Sequence, residues 1–215
     1  TISKPSLHFN TKLYTGTGSG NQSVTGVGFQ PDFVWTKNRA SAYGHNLYDV
    51  VRGTGKYIAS NSNAQQQTSA TSIISFDSDG FTVGTGDNVQ YESANGVSWN
   101  WAAGGSASSN TDGDETTSVS VNQTAGFSIV SYTGTGSVDT FGHGLGAKPN
   151  LMIQKKRSGS AAWTVYHDKV DANPSHKYLY LNSTAALADY ADHFNDTEPT
   201  SSVFTLGTDT SVNGS

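Results

Sequence analysis

Residues 13–39, "LYTGTGSGNQSVTGVGFQPDFVWTKNR", and residues 131–157, "SYTGTGSVDTFGHGLGAKPNLMIQKKR", are two versions of one pattern. A self-similar period means that one folding unit has been used more than once, and this constrains architecture more than any single motif. The "YTGTG" of residues 14–18 returns at 132–136, a shift of 118. At that shift Gly26 meets Gly144, Gly28 meets Gly146, Pro31 meets Pro149, Lys37 meets Lys155 and Arg39 meets Arg157. Further on, "NSNA" (61–64) matches "NSTA" (182–185) at a shift of 121, and "FTVG" (81–84) matches "FTLG" (204–207) at 123. A drift of five residues, confined to stretches between apolar runs, is what loop insertions produce.

Within each copy the period is that of a strand. "PDFVWTK" and "PNLMIQKK" are short apolar runs opened by proline and closed by charge. "NLYDVV" and "AWTVYH", "KYIAS" and "KYLYLN", "GFTVG" and "VFTLG" follow, separated by Gly, Asn, Asp and Ser clusters. "SDG" at 78–80 predicts a turn with glycine in a left-handed position. Only "STAALADYADHF" (183–194) suggests a helix. The expectation is an all-β chain of two tandem, jelly-roll-like β-sandwich units of about 100 residues each. One larger sandwich built from both halves is the rival arrangement.

"GVSWNWAAGG" (96–105) places Val97, Trp99 and Trp101 on one face and reads as the closing strand of the first unit. Its counterpart in the second unit would begin near position 220, past Ser215, so that unit is expected to lack its last strand, as in a chain cut from a longer one. A neighbouring chain or an N-terminal strand is the other way to fill that place. The small, acidic stretch between the units reads as a flexible connector. The predicted layout is therefore a first repeat at 1–104, a linker at 105–117 and a second, truncated repeat at 118–215.

Charged residues are 13% of the chain, about half the usual share of roughly 25%, so surface polarity falls to Ser, Thr, Asn and Gln. The net charge of -5, with basic clusters only at 37–39 and 155–157, argues against a nucleic-acid partner. Cysteine is absent, which excludes disulfides and thiolate metal sites. No apolar run approaches the roughly 20 residues of a membrane-spanning helix.

Sequence motifs for catalysis are wanting. The six histidines are scattered, and His45, His143 and His167 have no histidine counterpart in the other unit. They read as surface or loop residues, and the chain is not expected to be an enzyme. Gly-x-Ser-x-Gly and His-Glu-x-x-His are both missing, and "TGTGSG" lacks the Lys-Ser/Thr ending of a phosphate loop. Two Asp-rich loops, with Asp77 and Asp79 in one and Asp112 and Asp114 in the other, offer the oxygen ligands that calcium prefers. Neither has EF-hand spacing, and plain Asx-turns account for the same residues; calcium is the one cofactor the sequence suggests. Trp35, Trp99, Trp101, Trp163, Tyr48 and Tyr166 lie on predicted strands, where core filling is the default reading. Tyr43, Tyr91 and Tyr190 lie in or near loops and are the candidates for stacking on a sugar.

The phrases "FNTKLYTGTG", "TGVGFQPDFVWTKNR", "SFDSDGFTVG", "GFSIVSYTGTGS", "GHGLGAKPNLMIQKKR" and "KYLYLNSTAA" resemble a tandem-repeat domain of unknown function from structural proteins of tailed bacteriophages, notably marine ones. The resemblance runs from about Ile2 to Ser215 and includes, in the family, a closing strand like "VSWNWA" in the second unit. It implies a virion component on the particle surface, a tail-fibre or appendage module or a capsid decoration. Implied partners are other virion subunits, further copies of the chain (a trimer in a fibre) and a host-surface glycan. A carbohydrate-binding module acting through loop aromatics is the alternative.

Overall fold

In the strand Phe33–Asn38, Val34, Thr36 and Asn38 are buried while Phe33, Trp35 and Lys37 are half-exposed. That two-residue alternation is the mark of a sheet with one face on a core. A computed structural model describes residues 2–86, 88–90 and 93–214 and resolves the chain into two compact units. Among the described residues, no helix is long and apolar enough to cross a membrane.

In the first unit the strands are β1 (Phe9–Thr15), β2 (Gln22–Thr25), β3 (Phe33–Asn38), β4 (His45–Asp49), β5 (Lys56–Ala59), β6 (Gln67–Thr68), β7 (Ile73–Asp77), β8 (Gly80–Val83) and β9 (Asn95–Trp101). One antiparallel sheet has the order β1-β9-β3-β4-β5-β6 and the other β2-β8-β7. Their inner faces share a core of Val24, Val34, Tyr48, Ile73, Phe81, Val83 and Val89.

The second unit contains β10 (Ser108–Asn110), β11 (Thr117–Asn122), β12 (Phe127–Ser131), β13 (Asp139–Gly142), β14 (Leu151–Gln154), β15 (Thr164–His167), β16 (Lys177–Tyr180), β17 (Ala188–Asp189) and β18 (Val203–Leu206). It pairs them as β10-β11-β12, β14-β15-β16-β17 and β13-β18. Phe141, Tyr166, Tyr178, Phe194, Phe204, Leu206 and Val212 form its core. The all-β, two-unit fold expected from the repeat is present.

The copies agree in detail. Tyr48 and Tyr166 are both fully buried, and Phe81 opposite Val24 has its counterpart in Phe204 opposite Phe141. The Tyr14 hydroxyl donates to the Val89 carbonyl at 2.7 Å, and the Tyr132 hydroxyl donates to the Val212 carbonyl at 2.8 Å. The repeated glycines have a backbone reason: Gly26 and Gly28 take φ of +80° and +91°, and Gly144 and Gly146 take +72° and +71°. Gly80 combines a φ of +152° with a close approach, since a Cβ there would lie 1.9 Å from the Val24 carbonyl oxygen.

Three expectations need correction. The presumed linker is not a free connector: β10 pairs with β11, Asp114 accepts from the Thr140 amide and hydroxyl, and the second unit begins at Ser108. The turn-forming "NTDGDE" closes a hairpin there. Residues 61–65 also cluster with the second unit. The predicted helix shrinks to α1 (Ala191–Phe194), preceded by strand residues Ala188–Asp189. Asn195 and Asp196 stop it in left-handed conformation, with φ of +51° and +49°. α1 ends where β7 begins in the first unit, and Phe194 enters the core as Ile73 does.

Candidate functional site: a filled strand position and its open counterpart

β9 lies between β1 and β3, antiparallel to both. Ser98 stands opposite Lys12 and Thr36, Trp99 opposite Thr11 and Trp35, and Trp101 opposite Phe9 and Phe33. Its inward positions are small or polar. Gly96 lies under the Tyr14 ring, where a Cβ would come within 2.6 Å of Cζ. Asn100 is fully buried, and its Nδ2 donates to the Asn10 carbonyl at 3.0 Å and to Ser98 Oγ at 3.0 Å.

Its outward positions build an aromatic face. The Trp101 ring lies 4.8 Å from Phe9 and 5.4 Å from Phe33, and Trp35 meets Trp99 edge-on at 6.2 Å. These rings are partly exposed, on the side of the sheet away from the core. Trp35, Trp99 and Trp101 are therefore not core residues, whereas Trp163, Tyr48 and Tyr166 are. Strand alternation sorts residues onto two faces but does not say which face is covered. Burial in the centre of this face is deep nonetheless: Leu47 and Ile58, in register with Trp35, are each 4% exposed.

Among the described residues, the second unit has the counterparts of β1 and β3 with no strand paired between them. β12 has β11 as its strand partner and β14 has β15, and β12 and β14 are not hydrogen-bonded to each other. β11 lies on the other side of β12, over β13: the Thr117 hydroxyl donates to the Gly142 carbonyl, and Glu115 bridges to Phe141. At the mouth of the gap the Arg157 guanidinium donates to Ser131 Oγ at 2.6 Å. Gln154, in the place of Thr36, is buried, and its Nε2 and Oε1 are both without a hydrogen-bond partner. On the outer face Ile153, Val165 and Leu179 form a row in register, in the places of Trp35, Leu47 and Ile58. Leu179 is 38% exposed, and Leu151, Ile153 and Leu181 are exposed as well.

The residues proposed from sequence are dispersed. Tyr43 belongs to the first unit, in the β3–β4 connection that Lys37 Nζ ties down through the carbonyls of Asn38, Ser41 and Tyr43. Tyr190 is exposed in the second unit, where the neighbouring Asp192 charge raises its phenol above the ordinary value. Tyr91 lies outside the described residues. The four carboxylates proposed for calcium are engaged by their own chain. Asp77 accepts from the Thr82 hydroxyl, and Asp79 accepts from the Gly28 and Gly26 amides at 2.7 and 2.9 Å, which holds its pKa below the ordinary carboxylate value. Asp112 accepts from Asn110 Nδ2 and Asp114 from Thr140. Among the described residues, no group of three or more His, Asp or Glu side chains is placed to hold a metal ion.

Two of the histidines expected at the surface or in loops are buried, His143 in the loop after β13 and His193 in α1. His143 is held neutral-leaning by burial, against the opposing pull of its contact with the Thr200 carbonyl, and its Nδ1 accepts from the Leu145 amide. His193 is fully buried, stacks on Tyr178 at 4.1 Å and sits between Asp209 Oδ2 (2.8 Å from Nδ1) and Thr164 Oγ1 (3.2 Å from Nε2). Burial pushes Asp209 up, but hydrogen bonds from His193, the Ser211 amide and the Ser211 hydroxyl outweigh it and bring the carboxyl down to about 2. The order Asp–His–Thr has the look of a relay, yet His193 and Thr164 are both buried, so no substrate reaches either. Ser72 and Gly86 occupy the positions of His193 and Asp209 in the first unit, so this is a local packing device of one copy.

A family model described as "Domain of unknown function (DUF7483)" matches residues 4–215. The chain belongs to this family. No curated protein and no solved structure matches it.

Proposed function

We propose that the chain is a structural module of a tailed-bacteriophage particle, an appendage, fibre or capsid-decoration element that works by protein–protein assembly rather than by catalysis. One observation carries the reading: two copies of one β-module stand in the chain, and the second bears a row of exposed apolar residues, Leu151, Ile153, Leu179 and Leu181. An apolar row exposed on a sheet is a surface that another polypeptide can cover. The likeness of its phrases to phage structural proteins supports the setting, on the particle surface, among other virion subunits and further copies of the chain. Two joined units also suit multivalent attachment, in which weak contacts add through effective concentration. Mass spectrometry of purified particles, combined with imaging of a labelled chain, is expected to find it in fixed stoichiometry at one location. Its absence from particles refutes the reading.

The aromatic face of the first unit supports a second reading, attachment to a host-surface glycan. Half-exposed Trp99, Trp101 and Phe33 offer apolar ring surface on a rigid sheet, as sugar-binding surfaces do. On this reading glycan-array binding falls when Trp99 or Trp101 becomes Ala and is unchanged in Tyr43→Ala and Tyr190→Ala. The reverse pattern returns the site to the loop tyrosines.

A further inference from the structure

We propose that the core of the first unit binds ordered water at Asn46, Tyr48 and Ser72, in the place that the second unit gives to the His193 imidazole and the Asp209 carboxylate. The site belongs to the folded module itself and holds whatever the chain assembles with.

The two copies share one backbone frame around it. The Gly84 amide donates to the Ser72 carbonyl and the Gly86 amide to the Thr71 carbonyl, both at 2.7 Å. In the second unit the Gly207 amide donates to the His193 carbonyl and the Asp209 amide to the Asp192 carbonyl, both at 3.1 Å. A turn later the Gln90 amide returns to the Gly86 carbonyl as the Asn213 amide returns to that of Asp209, each at 2.8 Å. The neighbouring strands agree as well, since Asn46 stands opposite Ala59 as Thr164 stands opposite Tyr180. On this common frame the second unit carries His193, Asp209 and Tyr180, where the first carries Ser72, Gly86 and Ala59. Asn46 is only slightly larger than Thr164 and does not replace an imidazole, a carboxylate and a phenol. Nor does the backbone offer a substitute at Gly86, where a Cβ would lie 2.8 Å from the Thr71 carbonyl oxygen.

The groups that face this place are polar and buried. Asn46 is 1% exposed and Tyr48 is fully buried, yet Asn46 Nδ2 and the Tyr48 hydroxyl are both without a hydrogen-bond partner. Their counterparts in the second unit are served by side chains: Thr164 Oγ1 lies 3.2 Å from His193 Nε2, and the Tyr166 hydroxyl donates to Glu198 at 2.6 Å. A donor taken out of water and given nothing in return is costly, and native cores supply it with a partner from protein or solvent. Ser72, beside the Tyr48 hydroxyl, spends its proton on the Ser69 carbonyl at 2.9 Å and keeps oxygen lone pairs for a further donor. Asn46 Nδ2, the Tyr48 hydroxyl and Ser72 Oγ together provide the two to four polar partners that a buried water requires. The water accepts from the Asn46 amide and the Tyr48 hydroxyl and donates to Ser72 Oγ. An apolar guest would leave all three groups unserved.

High-resolution crystallography of the intact 215-residue chain is expected to show a water about 2.7–3.2 Å from Asn46 Nδ2 and from at least one of the two hydroxyls, and none between Thr164 and His193. Direct pairing of Asn46 Nδ2 with a protein acceptor overturns the proposal. In solution, oxygen-17 relaxation dispersion counts long-lived internal waters. The count is expected to fall in Asn46→Leu, which keeps the size of the side chain and removes the donor, and a count equal to that of the natural chain overturns the proposal as well. Tyr48→Phe deletes a single hydroxyl and serves if Asn46→Leu does not fold. It is expected to speed exchange of the water with bulk solvent, and an unchanged dispersion profile counts against the site.

Discussion

β3 and β14 are the same strand in two copies, and their surroundings differ by one neighbour. In the first unit β3 has β9 on one side, and the outer-face row runs from Trp99 through Trp35 and Leu47 to Ile58. In the second the row begins at Ile153 and continues through Val165 to Leu179 without a strand before it. Both rows are apolar, yet Ile58 is 4% exposed and Leu179 38%. Duplicated sequence therefore fixes the strand and its facing, while the neighbours decide whether a residue serves as core or as surface.

The comparison supposes that each copy stands on its own core, and the largest expected effect tests that. Phe81→Ala and Phe204→Ala empty equivalent positions, each at a cost of about 3–5 kcal/mol for a buried phenylalanine. Each substitution is expected to lower the unfolding transition of its own unit only, read by calorimetry and by amide exchange resolved along the chain. If Phe81→Ala lowers protection in both cores equally, the two-module picture fails.

Acid provides a smaller and more selective probe. Asp209 has a folded value of about 2 against an ordinary 3.8, so the unfolded chain takes up its proton first as pH falls. The stability it contributes is present above pH 4 and is lost between about pH 4 and 2, amounting to roughly 2 kcal/mol. Glycine holds the equivalent place in the first unit, and its Asp79, also lowered, is fully solvent-exposed. The second unit is therefore expected to lose more stability over this range, and Asp209→Asn to reduce the difference, the lowered Asp168, Asp189 and Glu198 of the same unit keeping the rest. Denaturant melts at stepped pH check this, and an unchanged slope in Asp209→Asn refutes it.

How much of this was legible beforehand follows from where each signal resides. The strands, the turn glycines and the tyrosine pair Tyr48 and Tyr166 are set by local period and backbone demand, and the repeat doubled each signal. Which face carries Trp99 and Trp101 was not legible, since alternation is symmetric about the sheet. Nor was the burial of His193, whose partners Thr164 and Asp209 lie 29 and 16 residues away and have no counterpart in the other copy. The Asp-rich loops were legible as turns but misleading as metal sites, because their carboxylates are taken by backbone amides and hydroxyls of the same chain. β10 escaped notice because three polar residues, Ser108–Asn110, carry no hydrophobic period.

A subtler probe addresses the equivalence of the two tyrosine tethers. Tyr14→Phe and Tyr132→Phe each delete one hydroxyl bond to a carbonyl, with burial holding both phenols above their ordinary acidity range. A loss of about 1 kcal/mol is expected from each. Unequal losses in denaturant melts, by more than the cost of one such bond, would show that one tether supports more than its own unit.

The smallest expected effect bears most directly on the outer faces. Leu179→Ser changes an exposed side chain, and surface substitutions of this kind shift stability by no more than about 0.5 kcal/mol. Ile58→Ser at the equivalent buried position loses the apolar burial of the side chain and leaves a hydroxyl in its place, a cost of several kcal/mol. The ratio between the two, measured by chemical denaturation of the free chain, is therefore the test that the second outer face is surface. If Leu179→Ser destabilises the isolated protein as strongly as Ile58→Ser, the face is already covered and the contrast between the copies dissolves. If instead Leu179→Ser leaves the free chain intact but weakens its incorporation into particles, the exposed row is working as a contact surface, because a residue that contributes nothing to folding has been shown to contribute to assembly.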